Sequence, residues 1–270
     1  MSINLAMIFT YLESPSHPAL QPFIKAFWYI RIKSETPLSP LNAIPIPEQC
    51  LYFYPKSKPQ SLFSGEKFIV APSATLFGQG TLPSQLMVPQ DYLMFKIIFQ
   101  PGGFFRLFNM PMTLFVDNLE DSEAVLGKEI SDVRDQIEQT EDFAKMVRIA
   151  ESYLFQQLKQ VKTAELPLDR VLLQLTSENQ NLDKLAHLAC LSSRQFERKF
   201  LERLGVSPKF YGRLLRFNAA MKGRMKRPQE PLMKIAHDYG YYDHNHLLRD
   251  FKQFTGTVPT RYDLESSLIY

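Results

Sequence analysis

Arg194, Glu197 and Arg198 fall on one helical face of the stretch 192–204, and His244, Asn245 and Arg249 fall on one face of the stretch 243–255. These residue types suit the edges of base pairs. A guanidinium can bond guanine O6 and N7 together, a carboxylate can accept from cytosine N4, and a carboxamide fits adenine. Lys209, Arg213, Arg216 and Lys222, between the two stretches, and Lys252, within the second, suit phosphates, which fix register without reading sequence. His244 and His246 form a His-x-His pair that invites a metal. Residues two apart on a helix point to different sides, so one ion is poorly served. The pair is read instead as a DNA contact at His244 and a flanking or partly buried place for His246.

An internal repeat must position these groups. Shifting the chain by 51 residues superposes 195–211 on 246–262, matching Phe196 with Leu247, Arg198 with Arg249, Phe200 with Phe251, Gly205 with Gly256, Pro208 with Pro259 and Tyr211 with Tyr262. Upstream, Leu185-Ala186-His187 resembles Ile235-Ala236-His237. Each copy reads as helix, tight turn, helix. In the first, Cys190-Leu191 turn, Ser192 and Gln195 form a capping box, Phe196, Phe200 and Leu204 are buried, and Gly205 stops the helix. Glu202 and Arg203 join the exposed set. In the second, Gly240 allows the turn, Asp243 caps, Leu247, Phe251 and Phe254 face inward, Leu248 is exposed, and Gly256 stops the helix. Between the copies, Ser207 and Pro208 open a long helix lined by Phe210, Leu214, Phe217 and Met221, which Pro228 and Pro231 end. Such a helix can hold two reading helices at a fixed separation, as required to enter successive major grooves about 34 Å apart. Two copies are too few for a solenoid, which needs about three or more repeats.

The charge distribution agrees. The net charge is only +3, yet residues 181–270 carry +7 and residues 1–180 carry −4. Residues 194–227 hold eleven basic and two acidic side chains. A basic module attracts polyanions. No apolar run is long enough to span a bilayer, and the N-terminus has no basic region of a secretory signal. A cytoplasmic protein with no membrane attachment is expected. Cys50 and Cys190 make neither a disulfide framework nor a zinc site and are read as small buried hydrophobes.

The N-terminal part is of a different kind. Fourteen of the 19 prolines precede residue 112 and separate short aromatic and β-branched runs at 27–32, 51–54, 67–70 and 92–99. These predict strands and turns, hence a small antiparallel barrel or sandwich. After Pro111 the pattern turns helical. Phe143, Met146, Val147, Ala150, Leu154 and Leu158 make one apolar face, which either packs on its own β domain or pairs two chains in a homodimer. Leu168, Val171, Leu172 and Leu175 predict a linker helix or the first helix of the C-terminal domain, and from 181 the chain reads as helical throughout.

The expected class is therefore α+β. Residues 1–160 form a β-rich, cupin-like barrel or sandwich with C-terminal helices, and residues 161–270 form an all-α domain with two helix-turn-helix motifs. Trp28, Tyr52, Tyr54, Phe95 and Phe99 are candidates to line a pocket for a small-molecule effector, or are simply core. A histidine-rich metal centre is nearly excluded in residues 1–180, which hold only His17. Pro101-Gly102-Gly103 lacks the rest of a phosphate-binding loop and reads as a turn. There is no Gly-x-Ser-x-Gly nucleophile elbow. No enzyme activity, metal or cofactor is expected.

The C-terminal 90 residues resemble the AraC-type DNA-binding domain. The resemblance is carried by Leu185-Ala186, by Ser192 to Phe200, by Gly205-Val206-Ser207-Pro208, by Ile235-Ala236 through Gly240-Tyr241, by Arg249-Asp250-Phe251-Lys252, and by Gly256-Thr257-Val258-Pro259 with Tyr262. It implies that Arg194, Glu197, Arg198, His244, Asn245 and Arg249 lie in recognition helices and that double-stranded DNA is the partner. The chain departs from the family pattern at Tyr241 (usually Phe), Tyr242 (often small and polar) and Leu248 (commonly polar), which sets the second helix's readout apart. More loosely, His17-Pro18, Phe27-Trp28 and Pro101-Gly102-Gly103 resemble the sensor domain of a subset of these regulators, implying effector sensing or dimerisation.

Overall fold

The computed structural model describes residues 7–63, 67–161, 165–175, 181–262 and 267–268. Ten strands come first: β1 (Met7–Ser14), β2 (Ile24–Ser34), β3 (Leu41–Ala43), β4 (Cys50–Phe53), β5 (Gln60–Phe63), β6 (Ile69–Val70), β7 (Ala74–Phe77), β8 (Ser84–Met87), β9 (Asp91–Phe99) and β10 (Leu119–Asp121). They form two sheets, one in the order β1-β2-β9-β4-β7-β10, the other containing β3-β8-β5-β6. Every pair among these ten is antiparallel. The expected β-rich domain is thus a two-sheet arrangement rather than a closed barrel.

The long strands β2 and β9 are buried on both faces. Their alternating side chains therefore belong to two different cores. Phe27, Tyr29, Leu93, Phe95, Ile97 and Phe99 face a layer of helices. Ile30, Ile32, Tyr92 and Met94 pack toward the second sheet. The helices are α1 (Gly103–Phe108), α2 (Ser122–Leu126), α3 (Glu129–Glu138) and α4 (Phe143–Gln160). Met146, Ala150 and Leu154 of α4 are buried in the core that these helices share with the six-stranded sheet, so the apolar stripe packs on its own domain. Gly103 opens α1 where a Cβ would collide with the Phe23 carbonyl, which is the close packing served by the Pro101-Gly102-Gly103 turn.

The C-terminal part comprises α5 (Pro167–Leu173), α6 (Leu182–Leu188), α7 (Ser193–Leu204), α8 (Pro208–Lys226), α9 (Leu232–Asp238) and α10 (His244–Thr255). Leu168, Val171 and Leu172 of α5 pack with Ala186, Phe196, Phe200, Leu204 and Tyr211, so α5 belongs to the first helical core rather than to a free linker. A second core joins Ala220, Ala236, Tyr241 and Leu247. The chain is not helical to its end. Ser267–Leu268 form β11, which pairs in parallel with β3. A two-residue strand has no periodicity to be read in the sequence.

Candidate nucleic-acid interface and internal cavity

Local chemistry sets both helix-turn-helix units. Ser192 accepts from the Gln195 amide while Gln195 reaches back to the Ser192 amide, and Gly205 ends α7 with φ 78°. Asp243 accepts from the His246 amide at the start of α10, and Gly256 ends it with φ 73°. Ser207 caps α8 ahead of Pro208. Left-handed φ is nearly free for glycine and costly for other residues. In the first turn it falls on Cys190, with φ 55°. Cys190 is exposed, which corrects its expected burial, whereas Cys50 is buried and its thiol is pushed up to about 12 by that burial.

Arg194, Glu197 and Arg198 are exposed on α7, and Asn245, Arg249 and Lys252 are exposed on α10. The two faces occupy corresponding slots of the repeat, joined through α8. The side chain of His244 lies outside what is described. Tyr242, just before the Asp243 cap, is 94% exposed, a large aromatic beside the reading face whose signal was its departure from the small residue usual there.

The flanking basic residues divide. Lys209 and Lys252 are exposed. Arg213 is held by Asp250, with Nη2 2.6 Å from Oδ1. Arg216 is buried, its guanidinium 5.4 Å from the Tyr241 ring centre and its Nη1 3.4 Å from His246 Nε2. The phosphate-contact expectation therefore needs correcting for Arg216. Its apolar stem and planar head tie α8 to the second unit. Lys222 is exposed but lies near Glu48, Lys25 and Lys96. Partial desolvation, with Lys25, Lys96 and Lys226 adding to it, holds its pKa below the usual value against the opposing Glu48 carboxylate. Arg203 is likewise buried rather than exposed. Its Nε donates to Asp169 Oδ1 at 3.0 Å, and its guanidinium lies over Phe105 at 4.7 Å.

Between the two sheets is a cavity of about 580 Å³. Trp28, Tyr52 and Tyr54 line it, as expected, together with Ile30, Tyr92 and Met94. Phe95 and Phe99 do not. They point to the opposite face of β9, among the helices, because strand side chains alternate and the cavity takes the other parity. That parity brings in Lys96, which the sequence reading missed. Lys96 is 2% exposed, 4.5 Å from the Trp28 ring centre and 2.9 Å from Glu48 Oε2. Glu48 also takes Lys25 at 3.0 Å. Burial alone would raise the Glu48 carboxyl, but the Lys96 and Lys25 charges and their hydrogen bonds outweigh it and hold the pKa at about 2. A lone lysine inside the apolar run 92–99 was the available signal.

The cavity wall is also the seat of the C-terminal domain. Ile44, Pro45 and Ile46 line the cavity. Ile44 is also buried among Leu214, Phe217, Met221, Phe251 and Phe254. Asn218 Nδ2 donates to the Pro45 carbonyl at 3.0 Å, the Tyr211 hydroxyl to that of Pro47 at 3.3 Å, and Gln49 Nε2 to that of Arg203 at 2.9 Å. Gly205 fits the same seam, since a Cβ there would stand 2.8 Å from the Met112 carbonyl oxygen.

Two helix-turn-helix units sharing one central helix, each with exposed polar residues on its second helix, have the geometry of a helix-turn-helix DNA-binding domain. Residues 185–264 match the family described as "Helix-turn-helix domain", and residues 12–121 match "Domain of unknown function (DUF6597)". An uncharacterized HTH-type transcriptional regulator of Haemophilus influenzae is 29% identical over 97 residues, which is 36% of this chain and 32% of that protein. The chain thus spans about a third of the length of that relative. Among solved structures, ToxT from Vibrio cholerae is similar at 12% identity and TM-score 0.45, covering 97% of this chain and 99% of that one. Wild-type ToxT of strain SCE256 bound to an unsaturated fatty acid gives 14% identity and TM-score 0.40, over 96% of this chain and 95% of that one. Residues 185–264 thus carry a helix-turn-helix domain. Among the described residues no helix is long and apolar enough to cross a membrane.

Proposed function

We propose that this protein is a sequence-specific DNA-binding transcription regulator whose cavity takes a small, mainly apolar effector. The observation that carries the reading is the repeated exposed slot. Arg198 on α7 and Arg249 on α10 occupy equivalent positions, on two helices packed against the same α8. In this reading Arg194, Glu197 and Arg198 contact base edges in one major-groove segment, and Asn245, Arg249 and His244 contact the next. Lys209 and Lys252 hold phosphates. One chain presents both reading helices, so a single protomer can engage a bipartite site. The cavity is bounded mainly by aromatic and aliphatic side chains, with Lys96 the one lysine among the described lining residues, which favours an apolar ligand with few polar groups.

The test is a footprint of the full chain on a duplex it selects from genomic DNA. Two protected major-groove segments about one helical turn apart are expected. Arg198→Ala should lose protection and base preference in one segment, and Arg249→Ala in the other. A single uniform footprint, insensitive to both substitutions, would contradict the bipartite reading.

A further inference from the structure

The segment 44–49 has two faces with different neighbours. On one side Ile44, Pro45 and Ile46 form part of the cavity wall. On the other it touches both helix-turn-helix units. Gln49 holds the carbonyl of Arg203 in the last turn of α7, and Ile44 is buried against Phe251 and Phe254 of α10. Pro45 and Pro47 accept from Asn218 and Tyr211 of α8, the helix shared by both units. The same segment carries Glu48, bound to the cavity lysine Lys96. Gln79 Nε2 ties it back to the N-terminal domain through the Ile46 carbonyl at 2.8 Å.

Prolines stiffen segment 44–49. Pro45 and Pro47 alternate with other residues and fix two of its φ angles, which stiffens an extended chain. The carbonyls that grip the DNA-binding domain belong to these two prolines. Its junction also contains buried acceptors, Gln49 Oε1 and Asn218 Oδ1, that have no hydrogen-bond partner among the described residues.

Resting on the effector reading above, we propose that segment 44–49 transmits occupancy of the cavity to both reading helices. A ligand that presses on Ile44, Pro45 and Ile46, or draws on Lys96 and thereby Glu48, favours one seating of the segment over another. That seating sets how α7, α8 and α10 sit on the N-terminal domain. Only a ligand with unequal affinity for the two seatings shifts their populations.

The experiment uses the full chain and the neutral apolar probe N-phenyl-1-naphthylamine, which has no charge to attract it to the basic domain. Trp28 is the chain's single tryptophan and lines the cavity, so energy transfer from it reports uptake directly. DNA affinity is read by anisotropy of a selected duplex, with and without saturating probe. Saturation should change DNA affinity by about fivefold or more, and DNA should change probe affinity by the same factor. In the double variant Gln49→Leu/Tyr211→Phe, both ligands should still bind singly while the coupling falls below about twofold. Coupling that persists undiminished in the double variant would overturn the relay but leave the cavity as an effector site. Uptake that leaves wild-type DNA affinity unchanged would also overturn the relay. Absence of energy transfer would overturn the effector cavity and the relay with it. Failure to select any duplex would sink the DNA reading itself.

Discussion

Asn218 of the central helix donates from Nδ2 to the carbonyl of Pro45, 173 residues earlier in the chain, at 3.0 Å, and from the same nitrogen to the carbonyl of Leu214 at 2.9 Å. Both bonds are buried. The carbonyl of a proline that contributes to the cavity wall is thus held by the helix that lies between the two helix-turn-helix units. Asn218→Ala removes both bonds and leaves the acceptors buried, at a cost of about 1–3 kcal/mol. Urea unfolding of the full chain should show this loss. Seating of the C-terminal domain should also loosen, seen as faster amide exchange at 44–49 and 211–221 than in the parent chain.

Arg216 and Lys209 are both basic and belong to the same helix, yet they should fail in different ways. Arg216→Met removes a buried guanidinium from Tyr241 and His246 and should lower stability by about 2 kcal/mol. The salt dependence of DNA binding should stay as it is. Lys209→Ala should leave stability within about 0.5 kcal/mol and reduce the salt slope by about one. Measuring melting and salt slope on both variants separates the roles. A reduced slope for Arg216→Met would restore it to the phosphate set.

The Glu48 carboxyl sits at about 2 in the folded chain, against an ordinary value of 4.5. A folded pKa lowered in this way adds stability that is fully present above the unfolded value and lost as pH falls through the folded one. The gap is equivalent to about 3 kcal/mol. Between about pH 4.5 and 2, stability should fall more steeply in the parent chain than in Glu48→Gln, which has no proton to gain there. The variant should be less stable near neutrality, because Lys96 loses a carboxylate partner inside the fold. Parallel pH profiles for the two chains would show that the ion pair does not shape acid stability.

Cys190 adopts φ 55° in the first helix-turn-helix turn, where the second turn has Gly240 at φ 76°. Cys190→Gly should relieve that strain and raise stability by up to about 1 kcal/mol, by thermal melting. An unchanged or lower melting temperature would mean that the turn carries no such strain.

Much of the C-terminal domain was legible because its signals are local. Ser192 with Gln195, Ser207 with Pro208, Gly205 and Gly256 mark helix ends within a few residues, and the repeat matches them twice. Burial of individual charges was not legible. Arg203 lies on the same helix as Arg198, and helical spacing alone places it on an open flank. Asp169 and Phe105, arriving from elsewhere in the chain, pack over it. In the β domain, alternation assigns Phe95 and Phe99 a common face but cannot say whether helices or cavity lie over it. Segment 44–49 has no periodicity, and its hydrogen-bond partners in the C-terminal helices lie more than 150 residues away in the sequence.

The most direct test is selection of duplexes from a genomic library by the full chain at two salt concentrations. The predicted result is retention of a limited set of sites that survives near-physiological salt, each with two conserved segments about one turn apart. Retention that collapses steeply with salt and favours no sequence would reduce the C-terminal domain to phosphate attraction and contradict its assignment as a sequence reader.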